Sequence, residues 1–385
     1  MKRLMCFFDG TWNKPDGTTV ATNVLKLARV ALGTAPDGLA QVSRYIEGIG
    51  TDVGDSEYVA FISGALGVGL DKRILEGYRF LAERYEPGDE IALFGFSRGA
   101  FQARSLSGLI ARAGLLRHDA LDDLDDAWGY YQRYKASPDP VRGERLQSRS
   151  HAGVRIRCLG VWDTVGNLGV PVLGSAGGLV DDYAFVDTEL APIVDIGLHA
   201  LAIDEPRGPF SPTLWTKRRG AALPAAQRIE QVWFPGSHAN VGGGFEDSSL
   251  SDISLRWMAA RSVSTAGIGF DLEALDAMTA PDPLGELVAP TSDSIYRVSA
   301  ILPFLRLVGQ QKTGIPPWRK AVLGTHRTSW LGDEIETVNE ALHPSAIARL
   351  GMRARHRRGL DAGARLYSPR TLEAARDALP VEPGA

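Results

Sequence analysis

Ser97 stands in Gly95-Phe96-Ser97-Arg98-Gly99, with a glycine two residues to either side. Where a strand turns sharply into a helix, the flanking backbones come too close for a Cβ, so this spacing suits a serine held at a tight elbow. Alone the pattern is weak, because 43 glycines among 385 residues produce it readily by chance. Its neighbours decide: Glu90 to Phe96 is a continuous strand-like run, and Gly99 to Leu116 is helical in character and rich in small residues. Ser97 falls at the junction, where a nucleophile would be exposed.

A serine hydroxyl is a poor nucleophile at its free pKa and needs a histidine base, itself held by a carboxylate. Of the seven histidines, His118, His151, His326, His343 and His356 sit in polar surroundings, and His199 lies inside an apolar segment. His238 differs, because it follows the strand-like run Arg228 to Phe234 through Pro235-Gly236-Ser237 and precedes the flexible run Val241 to Gly244. Asp163 and Asp204 both lie between Ser97 and His238, in the Ser, Asp, His chain order of this fold class. Asp163 ends a clear strand and is favoured as the acid; Asp204 follows a segment of ambiguous type and is kept as the alternative acid or a pocket residue.

An oxyanion needs two backbone N–H donors, one from the residue after the nucleophile and one from an earlier strand-to-helix loop. Arg98 supplies the first, and Gly10 or Thr11, after the strand-like run 3 to 8, the second. Asp9 could line the pocket or bind a metal, but no partner carboxylate stands near it. No Walker loop, dinucleotide fingerprint or zinc spacing occurs, so the chemistry is expected to run without a cofactor or metal.

The elements that must position these groups alternate. Residues 20 to 32 read as helix, Val42 to Ile46 as strand, Asp71 to Tyr85 as helix, Glu90 to Phe96 as strand and Val154 to Trp162 as strand; Ile193 to Ile203 fits either type. This order predicts an α/β chain, α/β-hydrolase-like, with a mostly parallel sheet, helices on both faces and a cap insertion. Expected divisions are a core from 1–117 and 151–260, a helical cap from 118–150, and a helical or mixed C-terminal extension from 261–385 packed on the core. Glycine-rich stretches from Gly48 to Gly69 and Gly166 to Gly178 are candidate site linings. The run Arg353, Arg355, Arg357, Arg358 reads as a solvated face.

Composition narrows the classes. A formal net charge of −4, from 42 Lys plus Arg against 46 Asp plus Glu, lacks the basic excess of a nucleic-acid binder, so no nucleic-acid partner is expected. Cys6 and Cys158 read as buried structural thiols, without a disulfide framework. The apolar start ends at Asp9, too short for a secretory signal, and no run approaches the length of a spanning helix, so synthesis and folding in the cytoplasm are expected.

Taken together, Phe7-Phe8-Asp9-Gly10-Thr11-Trp12-Asn13, Gly95 to Ala100, Gly160-Val161-Trp162-Asp163-Thr164-Val165-Gly166 and Trp233-Phe234-Pro235-Gly236-Ser237-His238 resemble the α/β-hydrolase family that includes the type VI secretion lipase effectors of the first class. Ala202-Ile203-Asp204-Glu205 and His343-Pro344-Ser345 are weaker echoes. The resemblance implies a Ser97, Asp163, His238 triad cleaving carboxylic esters, with an ester or lipid substrate such as phospholipid acyl chains and with peripheral membrane contact. It also implies export by a specialised secretion system, with an immunity or loading protein as partner. Many relatives carry Asp where this chain has Asn240. Two other readings stay open: an acyltransferase using the same triad, and a non-catalytic binding module that keeps the hydrolase shell.

Overall fold

A computed structural model of the chain describes residues 1–10, 19–48, 70–134, 137–165, 188–207, 210, 212–289, 306, 308–309, 335–358 and 361–382. Thr11 to Asn13, residues 49–69, the stretch from Gly166 to Gly178 and His326 lie outside the described residues.

Seven parallel strands form the central sheet: β1 (Lys2–Phe8), β2 (Ala40–Ile46), β3 (Glu90–Phe96), β4 (Ile156–Trp162), β5 (Val194–Ala202), β7 (Arg228–Phe234) and β10 (Glu340–Leu342). Their order is β10-β7-β5-β4-β3-β1-β2. The inner strands are mostly apolar because both faces are covered, so alternation appears chiefly as a division of labour between the two cores. Leu4, Cys6 and Phe8 of β1 point into one core with Ile91 and Leu93 of β3. Met5 and Phe7 point into the other with Ala92, Phe94 and Phe96.

The first core is closed by α2 (Leu70–Arg84) and α3 (Arg98–Ala113). The expected cap segment is helical, with a 3-10 turn His118–Asp123, α4 (Leu124–Arg133) and α5 (Pro140–Ser148). Its Leu124, Ala127, Trp128, Tyr131 and Leu146 bury into this same core. The second core is closed by α1 (Asn23–Arg29) and α7 (Ser249–Ala266). The segment from Ile193 to Ile203 resolves as strand β5.

Beyond residue 261 the chain returns to the core. It supplies the edge strand β10, a three-stranded sheet of β8 (Leu287–Ala289), β11 (Arg353–Arg358) and β12 (Asp361–Leu366), and β9 (Ile335–Thr337), which pairs with β6 (Thr216–Arg218). The arginine run is therefore a strand, with Arg353, Arg355 and Arg358 exposed.

The strand order places the site. The chain lays β2 on one side of β1 and β3 on the other, so the sheet's topological switch point falls between β1 and β3, where open α/β sheets bind ligands at the carboxyl ends of their strands. Asp9 and Gly10 follow β1, and Ser97 follows β3.

Candidate active site

Ser97 has φ 58° and ψ −118°, outside the regions an L-residue prefers, between the end of β3 and the start of α3. Its N–H bonds the Trp162 carbonyl at 3.0 Å and its carbonyl accepts from Phe101 N–H at 3.2 Å, which holds the strained turn. The flanking glycines are sterically required. A Cβ on Gly95 would lie 2.6 Å from the Gly99 carbonyl carbon, and one on Gly99 would lie 2.6 Å from the Phe8 carbonyl carbon and 2.7 Å from the Asp9 carbonyl oxygen. Neither backbone can move without separating the elbow from β1. Gly99→Ala is accordingly expected to cost about 3 kcal/mol, read as a lowered urea midpoint; an unchanged midpoint would show that the elbow relaxes.

His238 opens the short helix α6 (His238–Gly242) after β7. Its Nε2 lies 2.8 Å from Ser97 Oγ and its Nδ1 lies 2.5 Å from Asp163 Oδ2. Because Nδ1 faces a carboxylate, it carries the proton, which leaves Nε2 to accept from the serine hydroxyl. The imidazole is packed between Phe96, 4.6 Å away, and Phe210, 4.9 Å away. Its backbone N–H donates to Glu205 Oε2 at 3.2 Å, and Glu205 is itself clasped by Arg207.

Asp163 follows β4 with φ 40° and is fully buried. Four donors surround its carboxylate. Oδ1 accepts from Ala202 N–H at 3.0 Å and Arg306 Nη1 at 2.6 Å; Oδ2 accepts from His238 and from Arg306 Nη2 at 2.9 Å. Burial alone would raise the carboxyl's pKa, but the Arg306 guanidinium and His238 more than offset it and hold Asp163 well below the usual carboxylate range. It is ionised at any working pH.

The alternative acid, Asp204, is engaged elsewhere. Its Oδ2 accepts from Gly236 N–H at 2.7 Å and from the Tyr367 hydroxyl at 2.8 Å, which braces the turn ahead of His238. Asn240 likewise faces away from the ring: its Oδ1 accepts from Ser237 Oγ and Val288 N–H, and its Nδ2 donates to the Glu286 carbonyl, tying α6 to β8.

Arg98 begins α3, so its N–H points along the helix N-terminus beside Ser97. Gly10 N–H, expected as a second donor, is bonded in this structure to Asp9 Oδ1 at 2.6 Å. Thr11, the other expected donor, lies outside the described residues.

Asp9 is buried and also accepts from Thr22 Oγ1 at 2.7 and 2.8 Å and from the Tyr45 hydroxyl at 2.5 Å. Burial outweighs these bonds and pushes its pKa up to about 6. A carboxyl whose folded value lies above its unfolded value stabilises fully below the unfolded value, near 3.8, and loses that contribution as pH rises through the folded one. Wild type is therefore expected to lose about 2 kcal/mol more than Asp9→Asn between pH 4 and pH 8 in urea unfolding; equal losses would contradict the assignment.

Sequence reasoning assigned no role to Arg306, Glu205, Phe96 or Phe210, although Phe96 and Glu205 fall within the motifs that carry the family resemblance. Phe96 was readable from its place beside Ser97. Arg306 carried no signal, because it sits in a poorly patterned segment and meets Asp163 from 143 positions away.

Parallel strands whose carboxyl ends carry a serine elbow, a carboxylate and a histidine define an α/β-hydrolase-like protein. The chain belongs to the family described as T6SS, phospholipase effector Tle1-like, catalytic domain, whose model matches residues 2–261. It is 31% identical over 236 residues to the uncharacterized protein YEL023C of Saccharomyces cerevisiae, across 56% of this chain and 33% of that protein. The chain thus spans about a third of the length of that curated relative.

Two solved structures are also similar, each at 18% identity. One is an uncharacterized protein from Pseudomonas aeruginosa, with a TM-score of 0.45 over 83% of this chain and 52% of that one. The other is the Tle1 effector bound to the VgrG spike from the type 6 secretion system, with a TM-score of 0.36 over 64% of this chain and 52% of that one. Among the described residues no helix is long and apolar enough to cross a membrane.

Proposed function

We propose that the protein is a serine hydrolase that cleaves carboxylic esters of lipid-like substrates, phospholipid acyl esters among them, with Ser97 as nucleophile, His238 as general base and Asp163 as the acid that orients it. The observation that supports this reading is the unbroken relay from Ser97 Oγ through His238 to Asp163, with links of 2.8 and 2.5 Å, starting from a strained elbow. Membership in a family of phospholipase-type catalytic domains supports the substrate class.

In this mechanism Ser97 Oγ attacks the acyl carbonyl while His238 Nε2 takes its proton. The new C–O bond places negative charge on the former carbonyl oxygen, which Arg98 N–H stabilises; such a donor contributes roughly 10²–10³ in rate. Gly10 or Thr11 supplies the second N–H, and Gly10 can do so only by releasing the Asp9 carboxylate. Collapse expels the alcohol, which takes the proton from His238. Water, deprotonated by the same imidazole, then attacks the acyl-enzyme and returns Ser97.

Family membership also supports export as an effector, with loading and immunity partners, as a further part of the proposal. Release of fatty acid from mixed phospholipid micelles, beside a p-nitrophenyl ester series, tests the substrate class. Turnover that rises with acyl length and includes phospholipid supports it. Hydrolysis confined to short soluble esters would move the substrate away from lipids.

A further inference from the structure

The guanidinium of Arg306 is buried against the acid of the triad and makes four hydrogen bonds there. Two go to Asp163, one to each oxygen; the others go from Nη1 to the Ala202 carbonyl at 2.7 Å and from Nη2 to the Phe210 carbonyl at 2.6 Å. These partners are the ones that define the site. Ala202 N–H is another donor to Asp163, and the Phe210 ring packs on His238. Only a planar fork meets two carboxylate oxygens and two carbonyls at once; a lysine offers one point charge. Nε finds no partner among the described residues, a cost that the four other bonds offset. Arg306 also lies beyond the residues matched by the family model.

We propose that Arg306 is a positioning residue of the triad: it locks the Asp163 carboxylate in the plane that presents Oδ2 to His238, and its charge weakens the field that this carboxylate turns on the imidazole. This inference rests on the triad reading above.

Two side chains share the Asp163 carboxylate, and Arg306 holds part of its charge permanently. The negative field that reaches the imidazole is smaller than an unshared carboxylate would supply, so removing the guanidinium favours the protonated ring. Other charged or titratable groups packed around the pair are Glu205 with Arg207 on the backbone side of His238, Asp204 behind Gly236, and His199 across Thr164. Glu205 is neutralised by Arg207, and burial drives the His199 pKa down to about 3. Among the described residues Arg306 is thus the permanent cation in direct contact with Asp163.

The test compares the pH dependence of kcat/KM on one soluble ester for the wild type, Arg306→Met, Arg306→Lys and Ser97→Ala, each verified as folded by near-ultraviolet circular dichroism. In Arg306→Met the acid limb is expected to move up by about one pH unit. The plateau kcat should fall roughly tenfold as the acid loses its lock, with KM changed by less than about twofold.

Arg306→Lys keeps the charge without the fork, so its limb should return to within about 0.3 unit of wild type while the plateau loss persists. If the Met variant does not fold, the Lys variant still decides: a plateau equal to wild type overturns the positioning role. A folded Met variant with an unmoved limb overturns the charge role. If wild type reacts and Ser97→Ala does not, while both Arg306 variants match wild type, this inference alone falls. If wild type and Ser97→Ala are equally inert, the triad reading falls and takes this inference with it.

Discussion

Ser97→Ala is expected to lower ester hydrolysis by roughly 10⁴-fold or more while leaving the fold intact. The variant removes the one oxygen that His238 Nε2 faces and nothing that holds the elbow. The contacts of Ser97 with Trp162 and Phe101 run through its backbone, and the methyl group fits where the Cβ already stands. His238→Ala should lose activity to a similar extent. The double variant should be little worse than either, because nucleophile and base act as one unit and their losses do not add. Rates of p-nitrophenyl ester cleavage, with thermal midpoints beside them, check this. Losses that multiplied in the double variant would mean that the two side chains act in separate steps.

Asp163→Asn carries the second large effect, on two quantities at once. Without the carboxylate, His238 Nδ1–H loses its charged acceptor, and the wrong tautomer becomes available, a change that costs about 10⁴ in kcat in such relays. Stability suffers as well, because Arg306 and Asp163 are both buried and the guanidinium would be left without its anion. Breaking a buried pair from one side costs about 3–5 kcal/mol. Since the folded-state pKa of Asp163 is depressed, its contribution is present above the unfolded value, near 3.8, and is lost as acid reaches the folded one. The stability gap between wild type and variant at pH 7 should therefore close in strong acid. Adding Arg306→Met to Asp163→Asn should recover most of the stability and none of the activity, a double-mutant cycle that separates the ion pair from the chemistry.

Much of this arrangement was legible in the sequence, for identifiable reasons. Glu90–Phe96 and Arg228–Phe234 fill their strands from end to end, because strands buried on both faces are apolar runs bounded by turn residues. The elbow followed from glycine spacing, and Ser97, Asp163 and His238 meet in space in the order that chain position suggested. Asp204 shows the limit of that logic: it also ends a buried strand ahead of His238, yet its partners are a backbone N–H and Tyr367, contributed by a segment far along the chain. Strand β10 was invisible because three residues carry no periodicity. Arg353 to Arg358 read as a solvated face, and Arg353, Arg355 and Arg358 are exposed, but the pairing with β12 was not legible because every residue of β12 is exposed too. Gly10 was legible as a close approach to the elbow, but its N–H is held by the side chain of its own neighbour, which a backbone argument does not anticipate.

Active-site labelling reads most directly whether His238 and Asp163 make Ser97 a nucleophile. Folded protein is treated with a fluorophosphonate, digested, and mapped by mass spectrometry alongside His238→Ala. A single adduct on Ser97 in wild type, slowed by orders of magnitude in the variant, is the predicted result. Folded wild type that stays unlabelled, or an adduct on another residue, would contradict it.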